Sequence, residues 1–265
     1  MTSAVELRNL AVKIAEESGK FLMDRPSSFD LAQKSGIHDF ATQMDQASEK
    51  LIVELIRKYR PDDSILGEEG AAQSGSSGFT WIVDPIDGTV NYLYGVPGWC
   101  VSIAVKNEER VIAGAVYSPS ISKMWSAAYG SGAECNGESI RCNEPIKLTS
   151  ALVGTGFAYD LESRGVQGNF FKNLIPKIRD IRRIGACAVD ICLVASGVLD
   201  AYYEAGVYEW DFAAAGLIAR ESGARTLIAP GVPSDAQFFV MVAGPSLYAE
   251  LGGELIQDGR WISRI

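Results

Sequence analysis

Residues 81–92, WIVDPIDGTVNY, constrain this chain more than any other stretch. Trp81-Ile82-Val83 reads as a buried strand, and it runs straight into Asp84. Pro85 sets φ and Gly88 tolerates positive φ, so a turn accounts for those two residues. A turn does not account for two carboxylates, Asp84 and Asp87, at its mouth. Anions held close together repel, so the pattern calls for positive charge between them.

Three further segments carry acids where packing does not ask for them. HDFATQMD (38–45) holds Asp39 and Asp45. ILGEEG (65–70) ends a strand-like Ile65-Leu66 in Glu68 and Glu69. YEWDFAAAGLIARESGA (208–224) opens an amphipathic helix at Trp210-Asp211. Singly, each has a plain structural reading: a turn or cap for Asp-x-x-Asp, a solvated loop for GEEG, an N-cap for Asp211, a core residue for Trp210. Together, in this order, they point to a hard divalent cation such as Mg²⁺, which takes an oxygen shell and keeps several waters. The Ile86 carbonyl, freed by a turn, adds another oxygen. If a helix starts at Gly88-Thr89, its amides and the Thr89 hydroxyl would hold a phosphate. No Walker GxxxxGK is present, so metal plus phosphate cradle points to phosphate-ester hydrolysis rather than nucleotide triphosphate binding.

Composition removes other classes. The chain has 265 residues, 47% apolar and 22% charged, which fits a soluble globular protein of one large domain or two small ones. It has no apolar run of membrane-spanning length, and Glu6, Arg8 and Lys13 interrupt the N-terminal apolar residues, so a cytoplasmic protein without a signal peptide is expected. A net charge of −9, with no basic stripe beyond Arg179, Arg182 and Arg183, argues against a nucleic-acid partner. Five cysteines without a CxxC pair read as reduced thiols, not a disulfide framework or zinc site. The single histidine, His38, reads as a loop residue beside Ser35-Gly36, so histidine-based catalysis is not expected.

Periodicity predicts helices over 4–24 (Leu7, Leu10, Ile14 and Phe21 inward) and 45–59 (Leu51, Ile52, Leu55 and Ile56 inward, Asp45 as N-cap). Strands are predicted at 80–84, 100–106, 111–117 and 124–128, with NEER (107–110) as a hairpin turn. Beyond residue 145 the pattern alternates: strand 152–157, helix 163–178, helix 187–199, strand 201–204, helix 211–223, strands 225–229 and 238–242, helix 245–256. The expectation is a layered α/β protein. Its two sub-domains are residues 1–145, carrying most of the acids, and 146–265, carrying Asp211 and the substrate contacts.

These residues resemble the inositol monophosphatase family of Mg²⁺-dependent, lithium-sensitive phosphatases. WIVDPIDGTVNY is similar to one family signature and EWDFAAAGLIARESGA to the C-terminal one. GEEG, GSGAECNGESI (130–140) and RRIGACAVDICLVASGVLDAYYEAG (182–206) fit the segments between and around them, so the likeness runs from Lys34 to Gly223. It implies an αβαβα sandwich, a homodimer and a small phosphate monoester as partner. Glu68, Asp84 and the Ile86 carbonyl would hold one Mg²⁺. Asp84, Asp87 and Asp211 would hold a second, and Glu68 with waters a weaker third. Glu68 and Thr89 would activate the attacking water, supported by Asp45 and Thr42. The Gly88-Thr89 amides would hold the phosphate. Asp87, Gly185, Ala186, Cys187, Glu204 and Asp211 would line the substrate, with Lys34 as a basic residue nearby.

One departure bears on specificity. Bacterial members usually show Gly-Ser-Ala-Ala where this chain has Gly185-Ala186-Cys187-Ala188, so a hydroxyl is missing at Ala186. Glu209 adds an acid beside Trp210, read as either a substrate contact or a solvated carboxylate. Glu204 favours inositol phosphate. Histidinol phosphate, fructose 1,6-bisphosphate, a 3′-phosphonucleotide, or a regulatory binding role on the same fold are the alternatives.

Overall fold

The computed structural model describes residues 2–36, 39–159, 161–230 and 237–257. In chain order the elements are α1 (Ala4–Met23), β1 (Leu31–Gly36), β2 (Asp39–Thr42), α2 (Gln43–Tyr59), β3 (Ser64–Gly67), β4 (Ala72–Gln73), β5 (Thr80–Asp87) and α3 (Thr89–Tyr94). There follow β6 (Cys100–Lys106), β7 (Val111–Ser118), β8 (Lys123–Ala128), β9 (Ala133–Cys135), β10 (Glu138–Ser139) and β11 (Leu152–Thr155). The remainder is α4 (Leu161–Leu174), β12 (Asp180–Arg182), α5 (Cys187–Ala195), β13 (Ala201–Val207), α6 (Glu209–Glu221), β14 (Arg225–Pro230), β15 (Phe238–Ala243) and α7 (Pro245–Gln257).

Two large sheets organise these elements. The first has eight strands in the order β10-β9-β8-β7-β6-β5-β3-β4, and the second has five in the order β12-β11-β13-β15-β14. Strand side chains alternate faces, so each sheet serves two cores. On the first sheet Trp81, Val83, Val101, Ile103 and Val105 face α1 and α2. Ile82, Cys100, Ala104 and Val116 face α5 and α6, which Tyr202, Val240 and Val242 of the second sheet cover from the other side. Val153, Tyr203, Met241 and Ala243 then face α4 and α7. The result is the expected five-layer αβαβα sandwich. Burying a large apolar side chain such as Ile52 or Ile56 in these layers stabilises by about 1.5–3 kcal/mol.

The middle layer is thin because α6 is built of small residues. A Cβ placed on Gly114 of β7 would lie 3.0 Å from the Ala214 Cα, so the helix rests almost directly on the sheet. Two links fix its first turn: Ser102 Oγ donates to the Trp210 carbonyl (3.2 Å), and Lys106 Nζ donates to Glu209 (2.8 Å).

Boundaries differ from the periodicity in informative ways. In α1, Phe21 is 38% exposed and Leu22 is buried instead, because Leu22 lies four residues after Ser18 on the face that Leu7, Ala11 and Ile14 begin. Helix α2 starts two residues before Asp45, with Thr42 as N-cap. Helix α4 ends at Leu174, where a 3₁₀ turn around Pro176 takes over. Strand β5 does not stop at Asp84. It continues to Asp87 through a bulge: the three-residue step from Asp84 to Asp87 faces only a two-residue step from Ser102 to Cys100.

Candidate active site

The bulge in β5 places the first two acids. In a regular strand, residues three apart point to opposite faces. One extra residue restores the same face. Ile86 accordingly packs with α1 and α2 while Asp84 and Asp87 both turn toward the middle layer. Pro85, with no N–H to give a ladder, suits that position. Asp84 Oδ1 accepts the Ile86 amide at 3.0 Å. The Ile86 carbonyl, expected to be free, accepts the Thr89 hydroxyl at 3.1 Å and keeps a second lone pair.

Asp87 bridges the two halves of the fold. Its Oδ1 accepts the Cys187 amide (3.1 Å) and its Oδ2 the Ala188 amide (2.7 Å), at the start of α5. The Cys100 thiol reaches the same Oδ2 at 3.6 Å. Helix α5 has Ala186 at its N-cap position and no side-chain cap of its own. Asp87 supplies that cap from 100 residues away, where helix N-termini favour negative charge. Asn91 Nδ2 adds a second tie, donating to the Ile184 carbonyl at 2.9 Å. Gly88, at φ 89°, lies against Gly185 and Ala186, where a Cβ would come within 3.1 Å of both. Gly88 also forms the N-cap of the six-residue α3, so the expected helix does begin at Thr89.

Asp45 anchors a second group. It is the third residue of α2, not the N-cap, and its Oδ2 reaches back to the Thr42 amide (2.7 Å) and hydroxyl (2.6 Å). Its Oδ1 lies 3.1 Å from the Thr89 hydroxyl. Asp211 stands likewise at the third position of α6, with Oδ2 on the Tyr208 amide at 2.7 Å. Glu68 follows β3, its amide donating to the Val83 carbonyl at 3.1 Å.

Electrostatics bind these acids into one cluster. Burial pushes Asp84 well above the usual carboxylate range, and the charges of Glu68, Asp87 and Asp211 push it further. Burial raises Asp87 to about 7 against its amide bonds, with Glu204 adding repulsion. Asp211 is pushed well up by burial, then by Glu68 and Asp87. Among the described residues no three His, Cys, Asp or Glu side chains stand close enough to hold an ion as they are. The acids are an electrostatic cluster, not a finished coordination shell.

The substrate side lies on the second sheet. Glu204 of β13 is half-buried, its carboxyl raised by burial, and it accepts the Tyr202 hydroxyl. A Cβ on Gly156 would overlap the Glu204 carboxyl, so that glycine makes its room. Asp190 in α5 is buried with Oδ1 unpartnered, and burial drives it toward the neutral form. Glu209 is not a free solvated carboxylate, because Lys106 pairs with it. The Lys34 and Asp39 side chains, and all of His38, lie outside the described residues. The sequence reading missed Cys100, Tyr202, Gly156 and Glu49. A usable signal existed only for Glu49, a polar residue interrupting the apolar face that Ile52 and Ile56 continue.

Comparison with known proteins matches residues 3–257 to the model of the inositol monophosphatase family. An inositol-1-monophosphatase SuhB of Mycobacterium tuberculosis is 39% identical over 92% of this chain and 91% of its own. A Nus factor SuhB of Pasteurella multocida is 37% identical over 81% of this chain and 82% of its own. The solved structure of Mycobacterium tuberculosis SuhB superposes with a TM-score of 0.85 at 38% identity, covering 98% of this chain and 99% of that one.

Proposed function

The chain belongs to the inositol monophosphatase family, and from that premise we propose that it is a Mg²⁺-dependent phosphate monoester hydrolase acting first on myo-inositol 1-phosphate. The observation that carries this reading is the cluster of Asp84, Asp87 and Asp211: burial raises all three, the charges of Glu68 and Asp87 raise Asp84 and Asp211 further, and Glu204 does the same to Asp87. A divalent cation relieves both penalties, and the donor set is all oxygen, as Mg²⁺ requires. Glu68, Asp84 and the Ile86 carbonyl would hold one ion, Asp84, Asp87 and Asp211 a second, and Glu68 with waters a third. Bound there, Mg²⁺ supplies charge to the phosphoryl oxygens and lowers the pKa of water.

The chain's own residues do the positioning that phosphoryl transfer chiefly needs. The Thr89 hydroxyl has one proton and two acceptors at 3.1 Å, Asp45 and the Ile86 carbonyl; with that carbonyl turned to a cation the hydroxyl donates to Asp45, which leaves an oxygen lone pair to accept from the attacking water. Glu68 accepts the other proton of that water. The Gly88 and Thr89 amides donate to the phosphate. Glu204, held by Tyr202, offers its remaining oxygen to a polyol hydroxyl, and Gly185, Ala186 and Cys187 line that side. Lys34 enters only as the match to the family's basic residue near the site. Homodimerisation and a cytoplasmic location belong to the same reading. Among the described residues no helix is long and apolar enough to cross a membrane.

The deciding experiment is phosphate release from inositol 1-phosphate, histidinol phosphate, fructose 1,6-bisphosphate and a 3′-phosphonucleotide, with and without Mg²⁺. Preference for inositol phosphate, abolished by EDTA, is expected. Preference for another ester keeps the chemistry and changes the substrate. Release from none, by folded protein in Mg²⁺, overturns the reading. The Nus factor name of the Pasteurella relative favours a second role in regulation, which that last result would bring forward.

A further inference from the structure

Helix α2 turns a polar stripe into the protein. Thr42, Asp45, Ser48 and Glu49 are 2%, 0%, 0% and 6% exposed. An amphipathic helix normally gives that face to apolar side chains. Each of the last three reaches a different part of the acidic site. Asp45 meets the Thr89 hydroxyl. Ser48 Oγ pairs with Ser18 Oγ at 2.7 Å and lies 3.4 Å from the Pro85 carbonyl, inside the β5 bulge. Glu49 reaches the loop that carries Glu68: its Oε2 accepts the Glu69 amide and its Oε1 the Ala71 amide, both at 2.9 Å.

A carboxylate this deeply buried is costly unless its oxygens are hydrogen-bonded, and here both are. Burial raises the Glu49 carboxyl and the two amides lower it again. The loop is shaped around it. A Cβ on Gly67 would overlap the Glu49 carboxyl, although Gly67 does not need a positive φ. Space alone demands that glycine.

We propose that Glu49 is a positioning residue that sets the Glu68 carboxylate, and that α2 acts as one rigid template for both groups assigned to the attacking water. Asp45 fixes Thr89 and Glu49 fixes the Glu68 loop. The two lie four residues apart on one helix face, about 6 Å along the axis. Their separation is therefore held by a helix and not by a loop. The kinetic consequence rests on the hydrolase reading. The clamp itself does not.

The test compares wild type, Glu49→Gln and a core control, Ile52→Val, by amide hydrogen exchange, calorimetric Mg²⁺ titration, thermal unfolding and phosphate release. Gln keeps the volume but presents an NH₂ group to one of the two amides. Glu49→Gln is expected to speed exchange at Glu69 and Ala71 about tenfold, one hydrogen bond's worth. It should weaken Mg²⁺ binding by roughly 10–100-fold, as loss of an outer partner does, with kcat falling in parallel and KM for the ester little changed. Ile52→Val should lower Tm and change none of these. Wild-type exchange and Mg²⁺ affinity in Glu49→Gln overturn the proposal, as does a loss of Tm alone. Wild-type amides at Glu69 and Ala71 exchanging as fast as unstructured chain overturn it without any variant. If wild type releases no phosphate, the hydrolase reading fails while exchange still judges the clamp.

Discussion

Asp45 and Asp211 occupy the same local position in opposite halves of the molecule. Each is the third residue of a helix, and each reaches back to the backbone amide three residues earlier at 2.7 Å. Their surroundings then diverge. Around Asp45 both oxygens meet donors, the Thr42 and Thr89 hydroxyls among them. Asp211 faces Glu68, Asp87 and Glu204, and is pushed well above the usual carboxylate range. Helix capping thus fixes where a carboxylate stands, and the environment of its other oxygen decides its use. One becomes an acceptor that orients a hydroxyl. The other demands a cation.

The sharpest way to break this contrast is Asp211→Asn. The Asn oxygen can still accept the Tyr208 amide, so the fold survives. Turnover should fall by more than the roughly 10–100-fold typical of an outer-shell partner. The metal-free Tm should rise because a repelled charge is gone. Activity near wild type in the phosphate assay would remove Asp211 from the site. Next is Asp45→Asn, which leaves the cluster charge intact and disturbs Thr89. A kcat loss of about 100-fold is expected, with Mg²⁺ affinity kept within a few-fold. Equal losses of both would erase the distinction between the two aspartates.

A titration of stability sharpens it further. The folded Asp87 value of about 7 lies above the 3.8 of an unperturbed Asp, so the folded state holds the proton longer. Metal-free protein should therefore be most stable below about pH 4 with respect to this group and lose stability as pH rises toward 7. Saturating Mg²⁺ should flatten or invert the trend in chemical denaturation. A slope unchanged by Mg²⁺ would mean that the cation does not engage Asp87. The smallest effect belongs to Glu209→Gln, two residues from Asp211. Its pair with Lys106 is about one-third exposed, so at most about 1 kcal/mol is at stake and kcat should hold.

Much of this was legible in the chain because short-range chemistry placed it. The strands expected at 100–106 and 111–117 read as short apolar runs, and DPIDGT announced two acids on one side. The means was not legible. A bulge and a turn use the same Pro and Gly, and only the pairing with β6 tells them apart. Asp45 and Asp211 read as N-caps because an acid near a helix start looks the same at the first or third position. Thr42 and Tyr208, which hold the amides they cap, settle the position. The Asp87 bonds to Cys187 and Ala188 left no local trace, nor did the amides of Glu49, since both partners are distant in sequence. Strands β1 and β12 escaped because LAQKSG and DIR carry too few alternating apolar residues.

The near-contact of Gly114 with Ala214 makes the height of the Asp211 carboxylate a matter of methyl groups. Asp211 rides one turn upstream of Ala214 on the same helix, so whatever lifts the helix off the strand lifts the carboxylate with it. A Gly114→Ala enzyme would carry every charged residue unchanged and still aim one of them too high. Silent-looking changes on β7 belong, mechanically, to the acidic cluster.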